Sequence, residues 1–247
     1  MKNVCFLSLM ALLCALPTTG QAHKVSGSGS KTGAPTVPPY CSPCLFYSGD
    51  LDPNNGGALG NGTTIANGNG TAAIYIPFVV PTGQEWDVRS LFINEVVTNA
   101  LLDPADAVWS ISAGVSAGQA GTLVVSGRGP VTMTPTGRSW SGLTEYTFQV
   151  QVREFELQPG KYWLSVLPEC TNQSDQGCLL TVYSASAVED NPPMNFKGSS
   201  PANDSFYTFK RGGDFYRPTA AGNGGVCNQG CNRFSAGATG VARKLGP

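Results

Sequence analysis

The chain has 247 residues, a formal net charge of −1 and only 13% charged side chains. A near-neutral balance at such low charge density excludes the basic footprint that nucleic-acid binding requires. With 41% hydrophobic residues the chain can bury a sizeable core, and 31 glycines and 18 prolines mark it as turn-rich rather than disordered.

In chain order, residues 1–22 read as a signal peptide. Lys2 supplies the positive start, Val4 to Leu16 the short apolar run, and Gly20 and Ala22 the small residues before a cleavage site. The run is too short for a comfortable membrane span, and no second one follows it, so no membrane span is expected in the mature chain. Leu13 stands before Cys14 where a lipoprotein signal wants a small residue, so lipidation is not expected. The expected location is secreted or periplasmic. Residues 23–40 (HKVSGSGSKTGAPTVPPY) are a Gly/Ser/Pro-rich flexible linker. Residues 41–247 are expected to form a single domain.

From Cys41 onward, short apolar or alternating runs end repeatedly at Gly, Pro or Asn. Strands are expected at Ala73–Val80, Glu85–Val97, Ala107–Ala113, Thr122–Gly127, Val131–Thr134, Thr144–Leu157, Lys161–Leu167, Leu179–Ala185 and Phe206–Lys210. Thr144–Leu157 is the clearest: Tyr146, Phe148, Val150 and Val152 alternate with Glu145, Thr147, Gln149, Gln151 and Arg153. Pro81–Gly83 and Gln158–Gly160 read as turns, and Leu101–Val108 as a single turn of helix. Eight or nine strands at roughly ten-residue spacing predict an all-β, two-sheet antiparallel sandwich of jelly-roll-like form.

Six cysteines follow residue 22: Cys41, Cys44, Cys170, Cys178, Cys227 and Cys231. In an exported chain an even set reads as disulfides. Cys170 and Cys178 flank a polar turn and are expected to pair, stabilising by roughly 2–3 kcal/mol in the chain-entropy model. The other four allow local pairs or a staple joining the two ends. Zinc on the same four thiolates, and a redox role for Cys41–Cys44, are weaker readings, because export favours disulfides and no βαβ pattern is present.

Several blocks resemble a group of uncharacterised secreted bacterial β-sandwich proteins: CSPCLFYSGDLDPNN (41–55), IPFVVPTGQEWDV (76–88), WSISAGVSAGQAGTLVVSG (109–127), TPTGRSWSGLTEY (134–146), LQPGKYWLSVLPEC (157–170) and VCNQGCNRFSAG (226–237). The resemblance spans nearly all of the mature chain. It implies a jelly-roll-like fold and carries no catalytic residues.

Candidate chemistry is sparse. Gly114–Gly118 matches the G-x-S-x-G nucleophile elbow, but the only histidine, His23, lies in the linker, so Ser116 has no ordinary general base. Asp50, Asp52 and Asn54 alternate as calcium ligands do. Asn55 and Asn61 then stand where a helix–loop–helix calcium loop wants glycine and a bidentate acid, so turn-building is preferred; a looser site could recruit Asp214. Glu154 and Glu156 sit near a strand end and read as solvent-facing. Trp86, Trp109 and Trp163 fall in strand patterns and read as core. Trp140, in a loop beside Arg138, reads first as a turn anchor; an exposed indole there would suit stacking on a sugar. Asn61, Asn69, Asn172 and Asn203 head N-x-S/T sequons and are taken to mark exposed loops.

The expected function is a secreted, non-catalytic structural or interaction module, with no required cofactor. Its partner would be an extracellular glycan or another secreted protein. The alternatives are a carbohydrate- or calcium-binding module using Trp140, Arg138, Asp50, Asp52 and Asn54, and an extracellular hydrolase. The secreted chain is expected to begin at His23 on N-terminal sequencing and to show no titratable thiol when denatured without reductant.

Overall fold

The computed structural model describes residues 44–50, 59–64, 72–97, 104–140, 142–170, 182–184, 205–208, 215 and 234–246. The described residues contain strands and no helix. The strands are β1 (Cys44–Tyr47), β2 (Leu59–Gly60), β3 (Thr63–Thr64), β4 (Ala73–Val80), β5 (Gln84–Val97), β6 (Asp106–Ala113), β7 (Thr122–Trp140), β8 (Leu143–Leu157), β9 (Gly160–Cys170), β10 (Val182–Ser184), β11 (Phe206–Thr208) and β12 (Ala236–Lys244). The all-β expectation holds. Residues 1–22 and 23–40 lie outside the described residues.

Nine strands follow one another antiparallel in the order β1-β12-β5-β8-β7-β6-β9-β4-β11 and curl as a half-barrel. The short β10 adds to β2 and β5, and β3 runs parallel to the end of β9. The curl is possible because alternate side chains of each strand face inward and are apolar. Leu91 and Ile93 of β5, Phe148 and Val150 of β8, Ile111 of β6, Leu164 and Val166 of β9 and Ile76 and Phe78 of β4 meet in one buried cluster. Aromatic stacks bridge strands far apart in sheet order. Phe46 of β1 lies 4.5 Å from Phe78 of β4, Phe78 lies 5.9 Å from Trp86 of β5, and Trp109 of β6 lies 5.5 Å from Phe155 of β8. Trp86, Trp109 and Trp163 are buried, as their strand positions predict.

The strand boundaries expected for β4, β5, β6 and β8 match closely, and the Pro81–Gly83 turn forms, with the Gln84 N–H donating to the Pro81 carbonyl at 3.1 Å, whereas Gly160 of the second expected turn already begins β9. Three expectations are corrected. The runs 122–127 and 131–134 are one strand, β7, which pairs with β6 through Pro130 and with β8 from Val131. Gly127 and Pro130, which read as breakers, serve this crossover: the Trp109 ring lies where a Cβ on Gly127 would go, 2.6 Å away. The helical turn at 101–108 is absent over its described part, where Asp106–Val108 belong to β6. Strands β1 and β12 escaped the pattern search. In β12 small residues are required, since a Cβ on Gly237 would meet the Phe92 ring at 2.3 Å and the Phe46 carbonyl at 2.6 Å.

Phe78 touches aromatic rings on both sides, so Phe78→Ala removes the central member of the stack. It is expected to cost about 3–5 kcal/mol of unfolding free energy, read from the shift in urea midpoint.

Candidate functional site

Two clusters of buried polar and charged side chains stand out among the described residues. The first is a polar seam on the convex side of β5, β8 and β12. Alternation along β8 sends Phe148 and Val150 into the core and Glu145 and Thr147 to the opposite face. That face is covered here, and Glu145 and Thr147 are buried. Arg138, across the β7–β8 hairpin, donates through Nε to Glu145 Oε2 at 2.6 Å and meets Asp50 Oδ1 through Nη1 at 3.0 Å. Thr136 Oγ1 donates to Glu145 Oε2 at 2.6 Å and accepts the Arg138 N–H at 3.1 Å. The Tyr47 hydroxyl donates to Asp50 Oδ1. Asn94 Nδ2 donates to Ser235 Oγ at 2.7 Å, and Thr147 Oγ1 donates to Asn94 Oδ1 at 2.6 Å. One network therefore joins β1, β5, β7, β8 and the residue preceding β12.

Two carboxyls share one guanidinium in this seam. Burial raises the carboxyl of Asp50 and that of Glu145 above the ordinary range, while Arg138 opposes the rise in both. Burial works against the Arg138 charge as well, but Glu145, then Tyr47 and Asp50, lift it above its usual value. The Tyr47 phenol is pushed well up by burial and by the neighbouring Asp50 charge. Such a group titrates as a unit. Removing one partner of a buried ion pair typically costs about 3–5 kcal/mol, because the other charge is left uncompensated. Arg138 Nη2 and Glu145 Oε1 are buried without hydrogen-bond partners.

The second place lies on the concave side. Glu95 shares the face of Ile93 and Val97 and is fully buried. Asn61 Nδ2 donates to Glu95 Oε1 at 2.6 Å and to the Val166 carbonyl at 2.7 Å, while Asn61 Oδ1 accepts the Ile74 N–H at 3.0 Å. The amide thus ties β4, β5 and β9 around one carboxyl. Burial drives the Glu95 carboxyl well above its ordinary range, and the Asn61 hydrogen bond only partly offsets this. Glu95 Oε2 has no partner.

Of the candidate residues, the structure brings Asp50 and Arg138 together as an ion pair and engages both away from solvent. Trp140 ends β7 and does not lie in a loop, and at 3% exposure its indole is not the exposed platform that stacking on a sugar needs. Asn61 is corrected too, being buried and clamped rather than exposed in a loop. Asp52, Asn54 and Asp214 lie outside the described residues, as do Cys41, Cys178, Cys227 and Cys231. Cys170 ends β9, and Cys44 is disulfide-bonded. Among the described residues no three His, Cys, Asp or Glu side chains form a metal-holding group. Ser116 is exposed in a turn whose backbone bridges to Gln119, and strand β7 follows, not the helix a nucleophile elbow requires. Glu154 pairs with Arg89 at 2.9 Å, and Glu156 lies 3.8 Å from Arg243. Both are solvent-facing pairs of small energetic weight.

Tyr47, Asn94, Glu95 and Glu145 were not singled out from sequence. A signal existed for Glu95, the one charged residue in the inward alternation Leu91, Ile93, Glu95, Val97. None existed for Glu145, which sits on the polar side of its strand. No helix among the described residues is long and apolar enough to cross a membrane. Comparison with known proteins returns no match to a family model, a curated protein or a solved structure.

The Glu95 carboxyl has a raised folded-state pKa, so its neutral form favours the fold. That stability is complete below the ordinary glutamate value and declines as pH rises from there through the raised folded value. Glu95→Gln keeps the Asn61 hydrogen bond and has no proton to lose. Its urea midpoint is expected to fall less than that of the wild type as pH rises from 4 to 8 (~ values spanning the carboxyl range). Parallel pH profiles for the two proteins would exclude a neutral buried Glu95.

Proposed function

We propose that the chain is a secreted, non-catalytic structural or interaction module, and that its curled sheet is organised as two facing layers of a jelly-roll-like sandwich. The stack joining β1 to β4 supports the layered arrangement, since these strands lie far apart in the sheet order. The signal-like residues 1–22 and the even set of later cysteines support export to a secreted or periplasmic location. Its partner in that setting would be an extracellular glycan or another secreted protein.

The observation that carries the functional part is the state of the polar groups. General acid–base and nucleophilic chemistry need a group within reach of substrate. Tyr47, Asp50, Glu145 and Glu95 are buried, Arg138 keeps 13% of its side chain exposed, and all are engaged with one another or with Asn61. Their arrangement instead ties distant strands into one body. Several exposed arginines of the described residues are paired: Arg89 with Glu154, Arg128 with Asp106 and Glu169, Arg243 with Asp87.

The test is turnover of nitrophenyl esters and glycosides by the purified chain, compared with Ser116→Ala and Glu154→Gln. All three proteins are expected to match the buffer blank. Turnover above the blank that disappears with either substitution would make the chain a hydrolase.

A further inference from the structure

Among the described residues, several strand edges of the curled sheet have no neighbouring strand. Beyond its short contact with β1, β12 is open along Gly240–Lys244; β8 is open along Gln151–Leu157 on the side away from β5; and β7 is open along Thr122–Pro130 on the side away from β6. An open edge offers a row of backbone N–H and C=O groups to any other strand, and proteins guard such rows with charge, proline, bulges or brevity. The β12 edge carries Arg243 and Lys244. The β8 edge carries Arg153, Glu154 and Glu156. The terminal strands β1 and β11 have four and three residues.

The start of β7 has neither charge, proline nor brevity, and a single bulge is its one guard. Thr122-Leu123-Val124-Val125-Ser126 holds no charge and no proline, and it is rich in β-branched residues. Leu123 and Val124, at 59% and 46% exposure, are the two most exposed large hydrophobic residues described. They are adjacent because the pairing with β6 slips between Ile111 and Ser112, so that Val124 is the extra residue of a bulge. The bulge thus places a second apolar side chain in solvent next to an unpaired backbone edge.

We propose that this edge is a self-association surface, at which β7 of one copy pairs antiparallel with β7 of a second copy about a two-fold axis. The inference stands on the edge, not on the polar seam, and goes beyond the module reading above. The choice of occupant follows from charge and symmetry. An uncharged strand matches its own copy without desolvating any ion. Centred on Val124, antiparallel pairing sets Thr122 opposite Ser126 and Leu123 opposite Val125. The nearest cation, Arg128, then falls opposite Ala120 and not opposite its own copy. An isologous contact of this kind closes at two chains. A foreign strand would find no charge pattern along Thr122–Ser126 to specify it.

The experiment is sedimentation equilibrium of the purified chain over a wide concentration range, with Val124→Lys and, on the other exposed edge, Val241→Lys. The wild type and Val241→Lys are expected to rise from one-chain to two-chain mass with concentration. Val124→Lys should associate about ten-fold more weakly or worse, the scale of an unpaired charge at an interface. Far-ultraviolet circular dichroism checks that each variant is folded. Should Val124→Lys not fold, hydrogen exchange of the wild-type amides 122–126 decides instead: protection that grows with concentration upholds the proposal, and protection independent of it overturns the proposal. A wild type that stays at one-chain mass throughout, or a folded Val124→Lys that dimerises as the wild type does, also overturns it.

Discussion

Arg138 is held between two buried carboxyls, and much of the outer architecture follows from that arrangement. A guanidinium removed from water needs its fork of donors met, and the β7–β8 hairpin delivers Glu145 to one side of it. Asp50 meets it from the other side, which fixes the chain immediately after β1. Tyr47 and Asn94 extend the tie to β5, and Ser235 to the entry of β12. Ordinary sheet pairing could place β1 beside β12, but it could not by itself set where the chain goes after Tyr47. The seam does this with side chains from elements far apart in sequence.

The concave side is governed by a different balance. Stacked rings of Phe46, Phe78 and Trp86 fill the interior, and apolar burial dominates there. Glu95 enters this interior at a position the alternation reserves for an aliphatic side chain. Asn61 makes it tolerable by donating to its carboxyl while bonding the backbones of β9 and β4. Both polar places therefore act as fasteners between strands. That common character is what the non-catalytic role proposed above rests on.

How far these features were legible in the sequence depends on whether they are local. Period-two alternation is local, so Ala73–Val80, Glu85–Val97 and Thr144–Leu157 could be drawn almost to the residue. Burial of a strand's polar face is not local. Glu145 and Thr147 look like solvent-facing partners of Tyr146 and Phe148, and only the elements that cover them reverse that. Small residues misled in the other direction. Gly127, Pro130 and Gly237 read as interruptions because their glycines and proline lack a side-chain pattern, yet two of them are places where an aromatic ring lies against the backbone. Asp50 and Arg138 each read locally as a ligand-holding residue; that they hold each other depends on a contact across more than eighty positions of chain, which spacing cannot reveal.

Asn61 carries a consequence for how the chain can be made. Its N-G-T context is a substrate for oligosaccharide transfer, which in eukaryotic secretory pathways acts on the nascent chain. The finished fold has no room for a sugar on that nitrogen, because Nδ2 is committed inside to Glu95 and to Val166. A chain that received the glycan early could not seat Asn61 between β4, β5 and β9. Production in a host that glycosylates such sites therefore calls for blocking transfer at Asn61.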